Sequence, residues 1–294
     1  MSSFVQVFNF HRVSDEHSPA YPPIPTRVFE KVVKFIKRHY KIISQKELLS
    51  LDSANSRKPF AVITFDDGFY DFKKCALPIL IKHNVPVSLH VVTKVAETGE
   101  TFWTQKLNKI VEKYALENKT ISNEHLSKEY TLRNDEETEQ VALQIYKELL
   151  PLKNKVEILD NIAKEIDNEY EKTQMLLWND LKTLPASIVE IGSHTHTHTN
   201  LKTIETSEIH NELYTSWNEI NKNTQHNPIS IAFPNGQYDE RVLEEAKIIG
   251  YKIMYTCEAK KNIIPASDNI YHRYDIYNKE YWKNYIKLLK YRFL

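Results

Sequence analysis

Apolar and polar side chains alternate from Phe4 to Phe10, the period of a half-buried strand. Residues 15–25, rich in Pro, Ser and charge, read as a loop. Thr26 reads as an N-cap, and Val28-Phe29, Val32-Val33 and Phe35-Ile36 then recur at helical spacing. The run Pro59-Phe60-Ala61-Val62-Ile63-Thr64-Phe65 is apolar and β-branched at its centre, as a strand buried on both faces is. A helix over 70–82 and an apolar strand over 85–92 complete a βαβ unit. The character then changes. Residues 98–184 are rich in Glu, Lys, Asn and Leu, carry one proline (Pro151) and space Leu107, Ile110, Val111 and Tyr114 as a helix does. This predicts a helical excursion at about 98–185 inside a single domain covering 1–294. Strands at 188–191, 229–233 and 252–256 follow, alternating with helices at 207–221 and 239–249. Such alternation implies an α/β fold, either a parallel sheet or a (β/α) barrel. Residues 281–294 form an amphipathic basic helix, whose polar face is solvated or meets a membrane surface or a partner.

Composition narrows the classes. The 294 residues suffice for one large α/β domain or two ordinary ones. Hydrophobic residues at 41% exclude a disordered chain. Lys+Arg and Asp+Glu are 39 each, so the global basic footprint of a non-specific nucleic-acid binder is absent. Cys75 and Cys257 make neither a disulfide framework nor a CxxC pair, and read as buried thiols. No apolar run approaches the ~20 residues of a transmembrane helix. The first ten residues have no basic n-region or long apolar stretch, and read as a strand, not a signal peptide. A cytoplasmic protein is the expectation.

Two clusters after predicted strands carry chemistry, where parallel α/β folds place their sites. In Thr64-Phe65-Asp66-Asp67-Gly68 two adjacent carboxylates cannot both be buried as anions without a cation. They can divide their roles, one ligating a metal and the other taking a proton; the triplet is also a common turn. In Gly192-Ser193-His194-Thr195-His196-Thr197-His198 three imidazoles fall within five residues. A helical backbone puts His194 and His198 on one face, whereas an extended one aligns all three. The spacing therefore names a metal site without naming its ligands. Zinc, or another borderline divalent ion, suits two His and one carboxylate with open positions.

Together with Phe233-Pro234-Asn235-Gly236, these motifs resemble the polysaccharide deacetylase family, the NodB-homology enzymes of carbohydrate esterase family 4. The likeness runs from the first strand to Arg273-Tyr274-Asp275-Ile276. It implies a distorted (β/α)7 barrel, here with a helical insertion between the second and third barrel strands. It implies a hydrolase that removes N-acetyl groups from the amino sugars of a polysaccharide, glycan precursor or glycoconjugate. One divalent ion is implied, Zn2+ first, with Co2+, Ni2+ or Fe2+ as alternatives. By the same likeness Asp67, His194 and His198 are the metal ligands and Asp66 the general base, while the Pro234-Asn235 loop offers an oxyanion N–H. The family's Arg before its Pro-rich loop is missing, and Arg273 is the substitute for orienting Asp66. The C-terminal Leu-x-His motif is not evident. Phe10-His11-Arg12-Val13 resembles the acid-bearing first strand of a permuted subgroup, which favours His11 over His272 as general acid. Trp103 and Trp178 read as packing aromatics before sugar platforms. Rival readings keep the fold: an O-acetyl ester or other amide hydrolase, and a carbohydrate-binding pseudoenzyme.

Overall fold

The computed structural model describes residues 4–51, 58–152, 154–167, 170, 172–264, 266–277 and 280–293, so Leu294 of the expected last helix lies outside the described residues. Its strands are β1 (Phe4–Phe10), β2 (Lys41–Ile42), β3 (Phe60–Phe65), β4 (Val87–Val91), β5 (Thr120–Ile121) and β6 (Tyr130–Thr131). There follow β7 (Val189–Ser193), β8 (Ser230–Ala232), β9 (Ile253–Tyr255), β10 (Asn262–Ile263), β11 (Ile270–Tyr271) and β12 (Arg273–Asp275). Contacts divide the chain into two compact units, one of residues 1–14, 24–99 and 175–294, the other of 15–23 and 100–174.

In the first unit β1 pairs in parallel with β3, and parallel pairing continues through β4, β7, β8 and β9 to β11. One residue past β11, β12 pairs in parallel with β1, Val7 opposite Arg273. With 270–275 taken as one strand interrupted at His272, seven parallel strands among the described residues complete the circuit of a distorted barrel. Helices Thr26–His39, Thr206–Thr224 and Glu240–Ile249 connect successive strands. The excursion lies between β4 and β7, the third and fourth strands of the circuit, not the second and third. The reason is that β1 is itself a barrel strand, bonded on both sides.

Residues of one strand go alternately to two cores, as the period of 2 requires. Val5, Val7, Phe60, Val62, Ala232, Ile253 and Tyr255 form one buried cluster. Phe8, Phe10, Ala61, Ile63 and Phe65 pack with Phe29, Val32, Val33 and Ile36 of the helix Thr26–His39. Pro25, not Thr26, holds the cap position of that helix, its carbonyl accepting from Val28 and Phe29 N–H. The helix expected over 70–82 winds as a π-turn at Phe72–Ala76 before the α-helix Leu77–Lys82. Pro78, near the start of that α-helix, has no N–H to continue the ladder. Neither cysteine is in a disulfide, and both are half-buried, less enclosed than expected.

The second unit has its own core, built by Leu107, Ile110 and Tyr114 of one helix with Ile145, Leu159 and Ile162 of two others. It also contains the β5–β6 hairpin. Segment 15–23 belongs to it through Ser18, whose hydroxyl donates to Glu112 at 2.7 Å. Trp103 is stacked on Tyr146 with ring centroids 5.3 Å apart, a packing arrangement.

Candidate active site

Along the cluster that contains Val5, Val7 and Val62, the next side chains toward the C-terminal ends of the strands are polar. They are Asn9, Thr64, Asp66 and His90, and Arg273 joins them; all five are buried. Arg273 grips Asp66 with two nitrogens, Nη1 at 2.8 Å from Oδ1 and Nη2 at 2.7 Å from Oδ2. The pair is fully enclosed, so it is not a surface ion pair. Arg273 Nε donates to the Thr256 carbonyl at 3.0 Å, which fixes the plane of the fork. Asn9 ties the group together: its Nδ2 donates to Asp66 at 3.1 Å and to Asp275 at 2.9 Å, and its Oδ1 accepts from Thr64 and Arg273. His90 Nδ1 lies 3.3 Å from Asp66 Oδ1, and its Nε2 is hydrogen-bonded to Ser230 Oγ at 3.0 Å. Burial raises the Asp66 carboxyl, but Arg273, then His194 and His90, outweigh it and hold it well below its ordinary range. Burial also pushes the His90 imidazole down.

Asp67 turns the other way. It adopts φ 74°, and Gly68 follows with φ 80° in the tight bend after β3. Its Oδ1 lies 3.4 Å from His194 Nε2 and 3.5 Å from His198 Nε2. The loop after β7 is neither helical nor extended: Thr195 and His198 have positive φ, which brings the two imidazoles to 4.9 Å between centroids. His194 Nδ1 donates to the Ala232 carbonyl at 2.7 Å, which leaves Nε2 turned to Asp67. Such an outer hydrogen bond is what orients a ligating imidazole. The three donor atoms all lie within 4.8 Å of one another. Ligands ~2.1 Å from a tetrahedral ion sit about 3.4 Å apart, so these residues fit a divalent ion. Burial, then the neighbouring His194, lowers His198 to about 4, favouring the neutral imidazole that ligation needs.

The other expected residues are spread around this rim. His11 follows β1, half-buried and near enough for its charge to act on Asp67 and His198. Its neighbour Arg12 is locked to Asp71 at 3.0 Å and lies over the Phe69 ring. His272 is instead bonded to Thr256 Oγ1 at 3.0 Å and faces Glu258. His196 is turned away from Asp67, its Nδ1 2.9 Å from Thr93 Oγ1. Pro234 is buried and Asn235 exposed in the tight turn after β8, with Asn235 at φ 55°. Gly236 is obligatory there, because a Cβ would stand 2.5 Å from the Cys257 backbone nitrogen. Asn9 and His90 were not foreseen; each is one of two polar residues in its strand, with Gln6 in β1 and Ser88 in β4, and nothing in the sequence sets it apart.

The chain matches the family model described as "Polysaccharide deacetylase" over residues 53–157 and 158–254. No curated protein matches it in sequence. It is similar in structure to the Streptococcus pyogenes deacetylase PplD, solved in complex with acetate, at 16% identity and TM-score 0.66, covering 98% of each chain. IcaB from Ammonifex degensii is similar at 13% identity and TM-score 0.63, covering 97% of this chain and 96% of its own. These likenesses show a shared fold. The family match spans well over half of the chain and includes Asp66, Asp67, His194 and His198, and the chain belongs to the polysaccharide deacetylase family.

Proposed function

We propose that the protein is a metal-dependent hydrolase that removes N-acetyl groups from an amino sugar of a polysaccharide, glycan precursor or glycoconjugate. The observation that carries this reading is the division between neighbouring carboxylates: Asp67 converges with His194 and His198, while Asp66 is held by Arg273. Asp67, His194 and His198 would hold the ion, Zn2+ first by the donor set. When bound, it supplies Lewis acidity that polarises the acetyl carbonyl and makes water more acidic. Asp66, kept ionised by Arg273, takes the proton of the attacking water. His11 delivers a proton to the departing amine, which leaves poorly without one. A backbone N–H of the Pro234-Asn235 turn faces the developing oxyanion.

The test combines metal analysis, before and after chelation, with assays of N-acetylated against O-acetylated sugars. About one divalent ion per chain is expected, with amide hydrolysis lost on chelation. Asp67→Asn should lose the ion. Asp66→Asn and His11→Ala should keep it and lose ~10²–10⁴-fold in turnover, while His272→Ala stays nearly silent. Ester cleavage alone would replace the N-deacetylase reading with that of an O-deacetylase. A metal-loaded chain inactive on every acetylated sugar would leave a binding protein.

A further inference from the structure

Two adjoining helices give this globally neutral chain one basic and aromatic face. On the helix Thr26–His39 the exposed side chains Arg27, Lys31, Lys34 and Arg38 follow a 4-3-4 spacing, a single stripe. Beside it runs the helix Tyr281–Phe293. Lys31 Nζ lies 5.4 Å from the Tyr281 ring centroid, and the rings of Phe35 and Tyr285 meet edge-on at 5.5 Å. The second helix buries Asn284 and Leu288, and turns outward Trp282 (60% exposed) and Ile286 (56%), with the exposed Lys283 and Lys290 beside them. Acids on this face are already matched by cations: Glu30 by Lys34, Lys82 and His83, and Glu280 by Lys283. Lysines beside an exposed Trp and Ile are the chemistry of a membrane interface, where Trp sits at headgroup depth and Lys meets anionic lipid. A nucleic acid would use the charges and has no need of Ile286.

The same face reaches the catalytic rim. The first helix ends where the chain enters β2, and β2 pairs with Phe60, the start of β3. Its first turn is therefore toward the end of β3, where Asp66 follows. Contacts from 31 to 281 and from 35 to 285 show that the second helix runs the same way, so Trp282 lies toward that rim.

We propose that this helix pair docks the protein on an anionic phospholipid surface, with Trp282 and Ile286 inserted among the headgroups. This claim does not depend on the hydrolytic reading, and its test measures no turnover. The full chain is sedimented with vesicles of phosphatidylcholine, with and without phosphatidylglycerol, at low and at 0.5 M salt. Binding should require phosphatidylglycerol and weaken with salt. At roughly fivefold per basic residue, Lys31→Gln/Lys283→Gln/Lys290→Gln together should weaken it about a hundredfold. Trp282→Ser/Ile286→Ser should weaken it as well, both variants melting as the parent does. In the unsubstituted chain, brominated lipid should quench tryptophan emission, a readout independent of any variant's folding. Absent binding to phosphatidylglycerol vesicles at low salt would overturn the proposal. So would binding without quenching, or equal affinity for duplex DNA with the aromatic variant silent, which marks a general polyanion surface.

Discussion

Asp66 and Asp67 are neighbours in sequence with opposite surroundings, and Arg273 makes the difference. Its guanidinium is the cation that lets a carboxylate be buried as an anion. Removing it strands that charge: Arg273→Ala should cost ~3–5 kcal/mol of stability, the usual penalty for breaking a buried pair. Arg273→Lys is more informative. It keeps the charge and loses the planar fork that sets the direction of both Asp66 oxygens. Turnover should fall on the order of 10²-fold, as misplacement of a reacting group does, with metal content and melting temperature little changed. A lysine variant of full activity would remove Arg273 from a positioning role. Asp66, Asp67, His194 and His198 were legible because each pair lies within five residues of sequence and its chemistry is unusual. Arg273 was legible only as a substitute for an absent family residue. Asn9, which joins Thr64 and Asp66 at the end of β3 to Arg273 and Asp275 of β12, was not legible. Its role exists only once β1, β3 and β12 are side by side.

β7 shows what one strand must satisfy at once, since Glu190 and Gly192 share a face. A Cβ at Gly192 would stand 2.5 Å from His90 Cδ2 and from Ser230 Oγ. Gly192→Ala should therefore cost ~1–3 kcal/mol by overpacking, read from the urea midpoint. In a His90→Ala background the cost should shrink, because the ring it strikes is gone; equal cost in both backgrounds would sink this account. Glu190 lies two residues earlier, accepting from Gln45 N–H at 3.0 Å with Lys46 at 3.6 Å. Burial nevertheless raises its carboxyl above the ordinary value, outweighing Lys46 and Gln45. Between the ordinary and the raised value the folded chain holds more protons than the unfolded one, so stability falls as pH rises through that window. Glu190→Gln keeps an acceptor for Gln45 without the buried charge. Its melting temperature should exceed the parent's at pH 7–8, the gap closing toward about pH 4, below the ordinary Glu value. A gap independent of pH would mean that charge is not the cause. The long strands and helices were readable because their periods run for several turns or pleats. β2, β10, β11 and β12 span two or three residues each, too few for any period. The closure that β11 and β12 provide is a property of pairing alone.

The chain crosses between its two compact units at residues 14–15, 23–24, 99–100 and 174–175. The second unit is thus not a bead on a string. Its core needs 15–23: Ala20 is part of it, and Glu112, nearly buried, accepts from Ser18 Oγ at 2.7 Å and from Ala20 N at 3.3 Å. Cut away from 15–23, residues 100–174 would keep a buried carboxylate without those partners, at a cost of ~1–3 kcal/mol or more. Yet 15–23 is anchored at both ends in the first unit, before β3 begins. We propose on this connectivity that 1–294 unfolds as one cooperative domain. An ion held by Asp67 after β3 and by His194 and His198 after β7 binds the folded chain alone, so its binding energy adds to stability. Zinc at about a hundredfold over its Kd should add ~2.7 kcal/mol, raising the melting temperature by roughly 5 °C. Calorimetry with zinc and then with chelator reads both claims. One transition that moves as a whole, and fails to move in His198→Ala, is the expected result. Two transitions, with zinc shifting only one, would mean that the units unfold separately despite their four shared crossings. A single transition indifferent to zinc would leave the cooperative domain standing and take the ion away from Asp67, His194 and His198.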